Sequence, residues 1–358
     1  MWPDRRVMAL CGIELPIVLA PMAGAMDCEL AAAVAEAGGL GSMPCGMLSR
    51  QAIREQVERF RARTDKPVNL NFFTHTPATP NNALEARWRD RLAPYYRELG
   101  VDPGSSAPQA NRAPFDDAAL GLVLELRPKV VSFQYGLPEE RLLAPLRAAG
   151  IPVFGCATTV AEARWLEARG VAAIVAQGFE AGGHRGIFLS ADVATQVGTF
   201  ALLPQIVDAV DVPVVAAGGI GDARGIVAAF ALGAAAVQVG TAYLHCPEAK
   251  VSAPHRTALS QAADTATALT NVMSGRPARG IVNRLMRDLG PLSDEVPGFP
   301  LAAGALAPLR AKAEAAGSGD FSPLWAGQGA PLGRAMPAGE LTKVLAAEAQ
   351  AAMRRLGG

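Results

Sequence analysis

The ten residues QGFEAGGHRG, Gln177 to Gly186, set a glutamate, an arginine and one of only four histidines among four glycines, directly after the apolar run VAAIVA. An imidazole titrates near pH 6.5, so His184 has the chemistry to hydrogen-bond an anion or to move a proton at neutral pH. The competing reading is a solvated residue in a surface turn. His75 is a second candidate of the same kind, whereas His245 and His255 read as structural. Glu180 and Arg185 either orient the loop by pairing with each other or stay solvated.

Two further glycine loops, AAGGIGDARG and QVGTAYL, follow later apolar runs. Gly218, Gly219 and Gly221 let backbone N–H groups come close to an anion, and the N-terminus of the next helix would add its positive dipole end. Gly240 and Thr241 would supply a second set of donors. Glycines also serve as plain turn residues, so the pairing of two such loops carries more weight than either alone. Asn71 and Gln177 each end an apolar run, where a buried amide needs a partner. That partner is either loop backbone or a flat heterocycle with carbonyl and N–H edges. A flavin mononucleotide (FMN) has such a ring at one end and a phosphate at the other.

These residues must be positioned by the elements before them. Eight short apolar runs recur: IVLAP (17–21), LGSMP (40–44), VNLNFF (68–73), VVSFQYG (130–136), PVFGCAT (152–158), AAIVAQG (172–178), PVVAAGG (213–219) and AAVQVGTAY (235–243). None alternates apolar with polar residues, so they read as strands buried on both faces of a parallel sheet. Helical apolar spacing lies between them, as in CELAAAVAEAG and DARGIVAAFALG, often closed by glycine. Eight strand-then-helix units predict an α/β fold, a (β/α)8 TIM barrel, whose strand C-termini converge on one face. The glycine loops then follow strands seven and eight, where such barrels bind phosphate. Asn71 and Gln177 end strands three and six.

Two regions exceed a minimal barrel. An insertion, residues 74–127, holds the Trp- and Arg-rich helix EARWRDRLAPYYRELG, a Pro/Ser-rich link and a second helix. The expected division is a barrel over 1–250 with that insertion, and a helical extension or lid over 251–358. Both additions follow barrel strands and so belong on the catalytic face.

Composition narrows the function classes. Half the chain is hydrophobic, and 33 basic residues balance 33 acidic ones, which leaves no polybasic footprint for nucleic acid or an anionic membrane. Apolar runs break before the roughly 18 residues that span a bilayer. The five cysteines, Cys11, Cys28, Cys45, Cys156 and Cys246, are odd in number and form no CxxC pair, so they read as free thiols of a cytoplasmic protein without a metal site. Cys45, in SMPCGM, is the one expected near a site.

The motifs LAPMAGAM, NLNFFTH, QGFEAGGHRG, VVAAGGIGD, VQVGTAYLHCPEA, SGRPARGIVNR and LWAGQGA, in this order from about residue 15 to 335, resemble the nitronate monooxygenases, formerly 2-nitropropane dioxygenases, of class I. The resemblance implies that FMN contacts the backbone of Ala20, Pro21 and Met22, then Asn71, Gln177, Gly182 and Gly183. Gly218, Gly219 and Gln238, Val239, Gly240 and Thr241 would hold its phosphate end. His184 is similar to the family's active-site imidazole over the flavin. The implied reaction oxidises an alkyl nitronate, such as propionate 3-nitronate, with O2 to a carbonyl compound and nitrite, the anion giving one electron to FMN. Partners would be this small substrate and O2, in a monomer or homodimer. One departure stands out: SFQYG places Gln134 where many relatives carry histidine. Two other readings stay open, an NAD(P)H-dependent FMN reductase acting on quinones or enoyl thioesters, and a non-catalytic flavin-binding barrel.

Overall fold

All eight expected strands form. In the computed structural model, which describes residues 2–102, 104 and 112–356, eleven strands occur in chain order. They are β1 (Ile17–Leu19), β2 (Gly41–Pro44), β3 (Val68–Phe73), β4 (Val130–Gln134), β5 (Val153–Ala157), β6 (Ala173–Gln177), β7 (Gly183–His184), β8 (Val214–Ala217), β9 (Ala236–Val239), β10 (Thr267–Thr270) and β11 (Ala278–Ile281). Eight of them make one parallel sheet in the order β1-β9-β8-β6-β5-β4-β3-β2. A parallel bridge between Val18 and Leu40 joins its ends, with Leu40 N–H donating to Ile17 O and Leu19 N–H to Leu40 O, both at 2.9 Å. The sheet is therefore a closed barrel, which leaves no edge to pair with another chain.

The strands form because Val, Ile, Leu and Ala fill both faces. Ile17, Leu19, Leu70, Val130, Ile174, Val215 and Val237 are all fully buried. Helices start at the sequence signals: the side chains of Asp27, Ser49, Thr159 and Asp222 accept from N–H groups of the first turn of the helices at Cys28–Glu36, Arg50–Arg63, Val160–Glu167 and Ala223–Ala231.

The insertion and the extension, far apart in sequence, build one cover. Trp88, Leu92, Tyr95 and Tyr96 of the helix Asn82–Leu99 pack with Val272, Leu285, Leu306, Leu309 and Phe321 in a second core. Trp88 Nε1 donates to Ala302 O at 3.3 Å and the Tyr95 hydroxyl to Asp288 at 3.1 Å. The Pro/Ser-rich link expected in the insertion lies largely outside the described residues. The extension then returns to the barrel. Its last helix, Ala338–Leu356, buries Leu341, Leu345 and Ala349 in the main core, and Thr342 Oγ1 meets the Tyr243 hydroxyl at 2.7 Å. Residues after 250 thus supply both the cover and a helix of the outer ring. Among the described residues no helix is long and apolar enough to cross a membrane.

Candidate functional site

Above the strand C-termini lies a cavity of about 290 Å³. Ala20, Pro21, Met22, Asn71, Gln177, Gly182, Gly183, His184, Gly218, Gly219, Gln238, Gly240 and Thr241 all line it, from the ends of six different strands. Val239 does not. It is buried, and its carbonyl accepts Ala20 N–H at 2.9 Å, tying β9 to β1 beneath the floor.

The glycine turns keep free donors. Gly218 and Gly219 have φ of 110° and 73°, values costly to any residue with a Cβ, so the turn after β8 needs glycine. Among the described residues the N–H groups of Gly219 and Ile220 find no protein acceptor. The helix that follows does not open its N-terminus as expected. Asp222 caps it, taking Arg224 N–H at 2.9 Å and Gly225 N–H at 3.4 Å. The carboxylate is already the anion at that helix end, which leaves the N–H groups of the turn itself as the free donors.

The amides divide their bonds between loop and cavity. Gln177 Oε1 accepts Gly186 N–H at 2.7 Å and its Nε2 donates to His184 O at 3.1 Å, so its side chain largely braces the glycine loop. Gln134, the departure in SFQYG, donates to the same carbonyl at 3.3 Å. Asn71 Nδ2 donates to Ser132 Oγ at 2.9 Å. The backbone of Gln238 is held in the barrel ladder between β1 and β8, but among the described residues its side-chain amide makes no hydrogen bond within the protein, and the residue lines the cavity.

His184 is not in a loose turn. It forms β7, which pairs antiparallel with β11, His184 opposite Ala278, so the extension converts the glycine loop into the edge of a three-stranded sheet. Its Nε2 lies 2.8 Å from Ser274 Oγ, and its ring packs edge-on against Phe299 and Trp325, each at 5.3 Å between centroids. Burial drives its pKa down to about 3, reinforced by the positive charges of Arg112 and Arg276 and by His75. The imidazole is therefore neutral at neutral pH, a base or neutral donor and not a cation. His75 is likewise lowered to about 4, first by burial and then by Arg276 and Arg112; it sits behind the wall against Phe299. His255, which reads as structural in the sequence, does line the cavity, its Nε2 3.2 Å from Trp325 O, while His245 lies off the wall.

The loop's other charges act separately. Arg185 is fully buried and gives its guanidinium to the carbonyls of Gln177 and Gly178 at 2.7 Å and to Gln196 Oε1 at 2.9 Å. Glu180 instead accepts Thr199 N–H at 2.8 Å. They do not pair with each other, because Arg185 points under the loop and Glu180 toward the next helix. All five cysteines are free and buried. Cys45 lines a smaller side chamber of about 120 Å³ that shares Gly24 and Met47 with the main cavity, and burial pushes its thiol up to about 12. That is the opposite of a reactive thiolate.

Most of the roof comes from residues outside the quoted motifs, joined by Tyr135 of SFQYG and Trp325 of LWAGQGA. Arg112, Tyr135, Phe299, Arg310, Glu314 and Trp325 line the cavity, brought there by the insertion, the β4 loop and the extension. The LWAGQGA segment locks this roof down: Gly327 N–H donates to Thr241 Oγ1 and Gln328 N–H to Glu180 O, both at 2.9 Å. A Cβ at Gly182 would strike the backbone of Ala326 and Gly327, so this glycine is required by the close approach of two chains.

A closed (β/α)8 barrel with free backbone donors in the glycine turn after β8, a buried neutral imidazole and a roofed mouth defines a barrel enzyme that works in a water-poor site. The sequence profile of the nitronate monooxygenases matches residues 4–348. The chain is 44% identical over 345 residues to the nitronate monooxygenase of Pseudomonas aeruginosa, covering 96% of this chain and 98% of that one. It is 42% identical over 355 residues to that of Paraburkholderia phytofirmans, covering 98% and 97%. Among solved structures, nitroalkane oxidase from Streptomyces ansochromogenes superposes with a TM-score of 0.89 at 39% identity, covering 98% of this chain and 99% of that one. FabK from Thermotoga maritima gives 0.76 at 29%, covering 99% and 98%. The protein belongs to the nitronate monooxygenase family and is an oxidoreductase.

Proposed function

We propose that the protein is an FMN-dependent nitronate monooxygenase, which oxidises alkyl nitronates with O2 to carbonyl compounds and nitrite. One observation carries the reading. A single roofed cavity joins free backbone N–H groups, at Gly219 and Ile220, to a corner that holds His184 and cationic side chains. The residues present fit FMN: the glycine turns are open to a phosphate, and the unpartnered Gln238 amide, with Asn71 and Gln177, meets the edges of a flat ring. When bound, FMN supplies the electron acceptor that no side chain provides.

The protein's own share is positional and electrostatic. Phe299 and Trp325 pack on His184 and keep bulk water away, which strengthens each polar contact inside. Being neutral, His184 has a lone pair to take a proton from the carbon of a nitroalkane. The burial that lowers its pKa also weakens it as a base, so the step needs the nitronate product to be stabilised by its surroundings. A substrate that arrives already ionised does not need that step, and for it the site has only to hold the anion. The test is aerobic nitrite release from propionate 3-nitronate, measured beside NAD(P)H oxidation with a quinone, together with chromatography of the flavin freed on denaturation. Nitrite release with FMN as chromophore is the expected result. FAD, or turnover of NAD(P)H alone, would overturn the reading.

A further inference from the structure

Among the described residues three cationic side chains line the cavity: Arg112, Lys250 and Arg310. Two are answered. Lys250 Nζ lies 3.6 Å from Asp27, and Arg310 Nε lies 2.9 Å from Glu314, which also takes Ser322 Oγ at 2.7 Å. Among the described residues Arg112 has no acidic partner, and its buried Nη1 has no hydrogen-bond partner. An unpaired, partly desolvated guanidinium is costly to keep unless something outside the protein pairs with it.

A second orphan stands nearby. The Tyr135 hydroxyl is buried without a partner, and burial raises its pKa, so it stays protonated and has only a donor to offer a negative group. Tyr135 takes φ of 77°, a conformation tyrosine rarely adopts, and Gly136 follows at 95°. The backbone thus spends strain to aim this ring. Arg276 stacks behind it, its guanidinium carbon 4.0 Å from the ring centroid, with one arm on Ile187 O and a buried Nε that is also unpartnered. Phe299 holds the corner together: Arg112 lies 5.3 Å from its centroid, the Tyr135 ring 5.9 Å and the His184 ring 5.3 Å.

We propose that Arg112 and the Tyr135 hydroxyl, backed by Arg276, form the subsite that holds a planar two-oxygen anion of the substrate. A guanidinium presents two parallel N–H groups that match such an anion, and nitronate, carboxylate and nitrite all share that shape. The assignment of the anion to a substrate rests on the nitronate reading. It relieves His184 of anion binding, which a neutral imidazole does poorly, and leaves it the proton. Arg112 comes from the insertion and Arg276 from the extension, so the subsite exists only once both halves of the cover have packed.

The test is calorimetric titration of the flavin-loaded protein with sodium nitrite at constant ionic strength. Arg112→Met keeps bulk and removes the charge; loss of a hydrogen bond to a charged group should weaken nitrite binding about 10- to 100-fold. Arg112→Lys should recover part of this, since it restores charge without the fork. Tyr135→Phe removes a single oxygen and should cost about 3- to 10-fold, deciding the matter even where the Met variant is unstable. An unchanged dissociation constant in Arg112→Met or Tyr135→Phe overturns the proposal, as does wild-type protein that binds no nitrite. Intact nitrite binding without nitronate turnover would instead sink the proposed function and leave the subsite standing.

Discussion

Every histidine in this chain is held below its ordinary pKa by burial, and that makes the protein's stability depend on pH in a defined window. His184 is lowered to about 3, and His75 and His255 to about 4, from 6.5; His245 shifts in the same direction. In each the folded-state pKa lies below the unfolded value, so the unfolded chain binds more protons between the two. Stability is therefore complete above about pH 6.5 and falls as the pH drops toward 4. For one imidazole with folded pKa 4 and unfolded pKa 6.5, lowering the pH from 7.5 to 5.0 removes about 2 kcal/mol. The figure for His184 is about the same, because at pH 5.0 both folded forms are still nearly unprotonated. Three such groups sum to about 6 kcal/mol, an upper bound that water entry would reduce, against a typical total of about 5–15 kcal/mol. The shifted carboxylates, such as Asp222 and Glu29, also take stability from the fold on acidification, but chiefly below their ordinary values of 3.8 and 4.5. The interval from pH 6.5 to 5 thus belongs to the imidazoles. Urea unfolding at pH 7.5, 6.0 and 5.0 should show the fall, and His255→Gln, which cannot take up that proton, should remove roughly a third of the slope. A total change below about 1 kcal/mol over this range would refute the burial argument, because solvated histidines bind protons equally in both states.

Other outcomes follow from the site. Replacing His184 with Asn keeps a polar side chain without a basic nitrogen, so flavin should stay bound while kcat/KM for a neutral nitroalkane drops by about 10²- to 10⁴-fold. The corresponding pre-ionised nitronate should lose far less, and equal losses for both would deny His184 a role in proton transfer. Gly219→Val puts a β-branched side chain at φ 73° beside the Glu180 side chain and should weaken FMN binding by about 1–3 kcal/mol, read from flavin retained on dilution; full retention would place the phosphate elsewhere. Gly182→Ala has no room against Ala326 and Gly327, so it should destabilise the fold by about 1–3 kcal/mol of overpacking, read as a lower melting temperature, and a normal melt would mean that the LWAGQGA segment is not locked down.

The barrel was legible because its signals are local. A strand buried on both faces must be apolar throughout, so runs such as AAIVA and PVVAA announce themselves without knowledge of their neighbours, and glycines needed at φ above zero mark the turns that follow. The ordered motifs likewise placed the chain in its family, and nearly all the residues they nominated meet at one cavity. What no stretch of sequence contained was the pairing between distant segments. Trp88 meets Ala302, and the roof brings Arg112 to Phe299, contacts whose partners lie about 190 or more residues apart. Nothing in a solvated-looking arginine or in a tyrosine beside a glycine states that each will lose its water and find no partner. The neutrality of His184 is of the same kind. The same imidazole in an open glycine loop would titrate near 6.5; the β11 ladder, Phe299 and Trp325 close over it and remove its hydration, and a pKa is set by the charge and solvent around a group, which only the folded chain supplies.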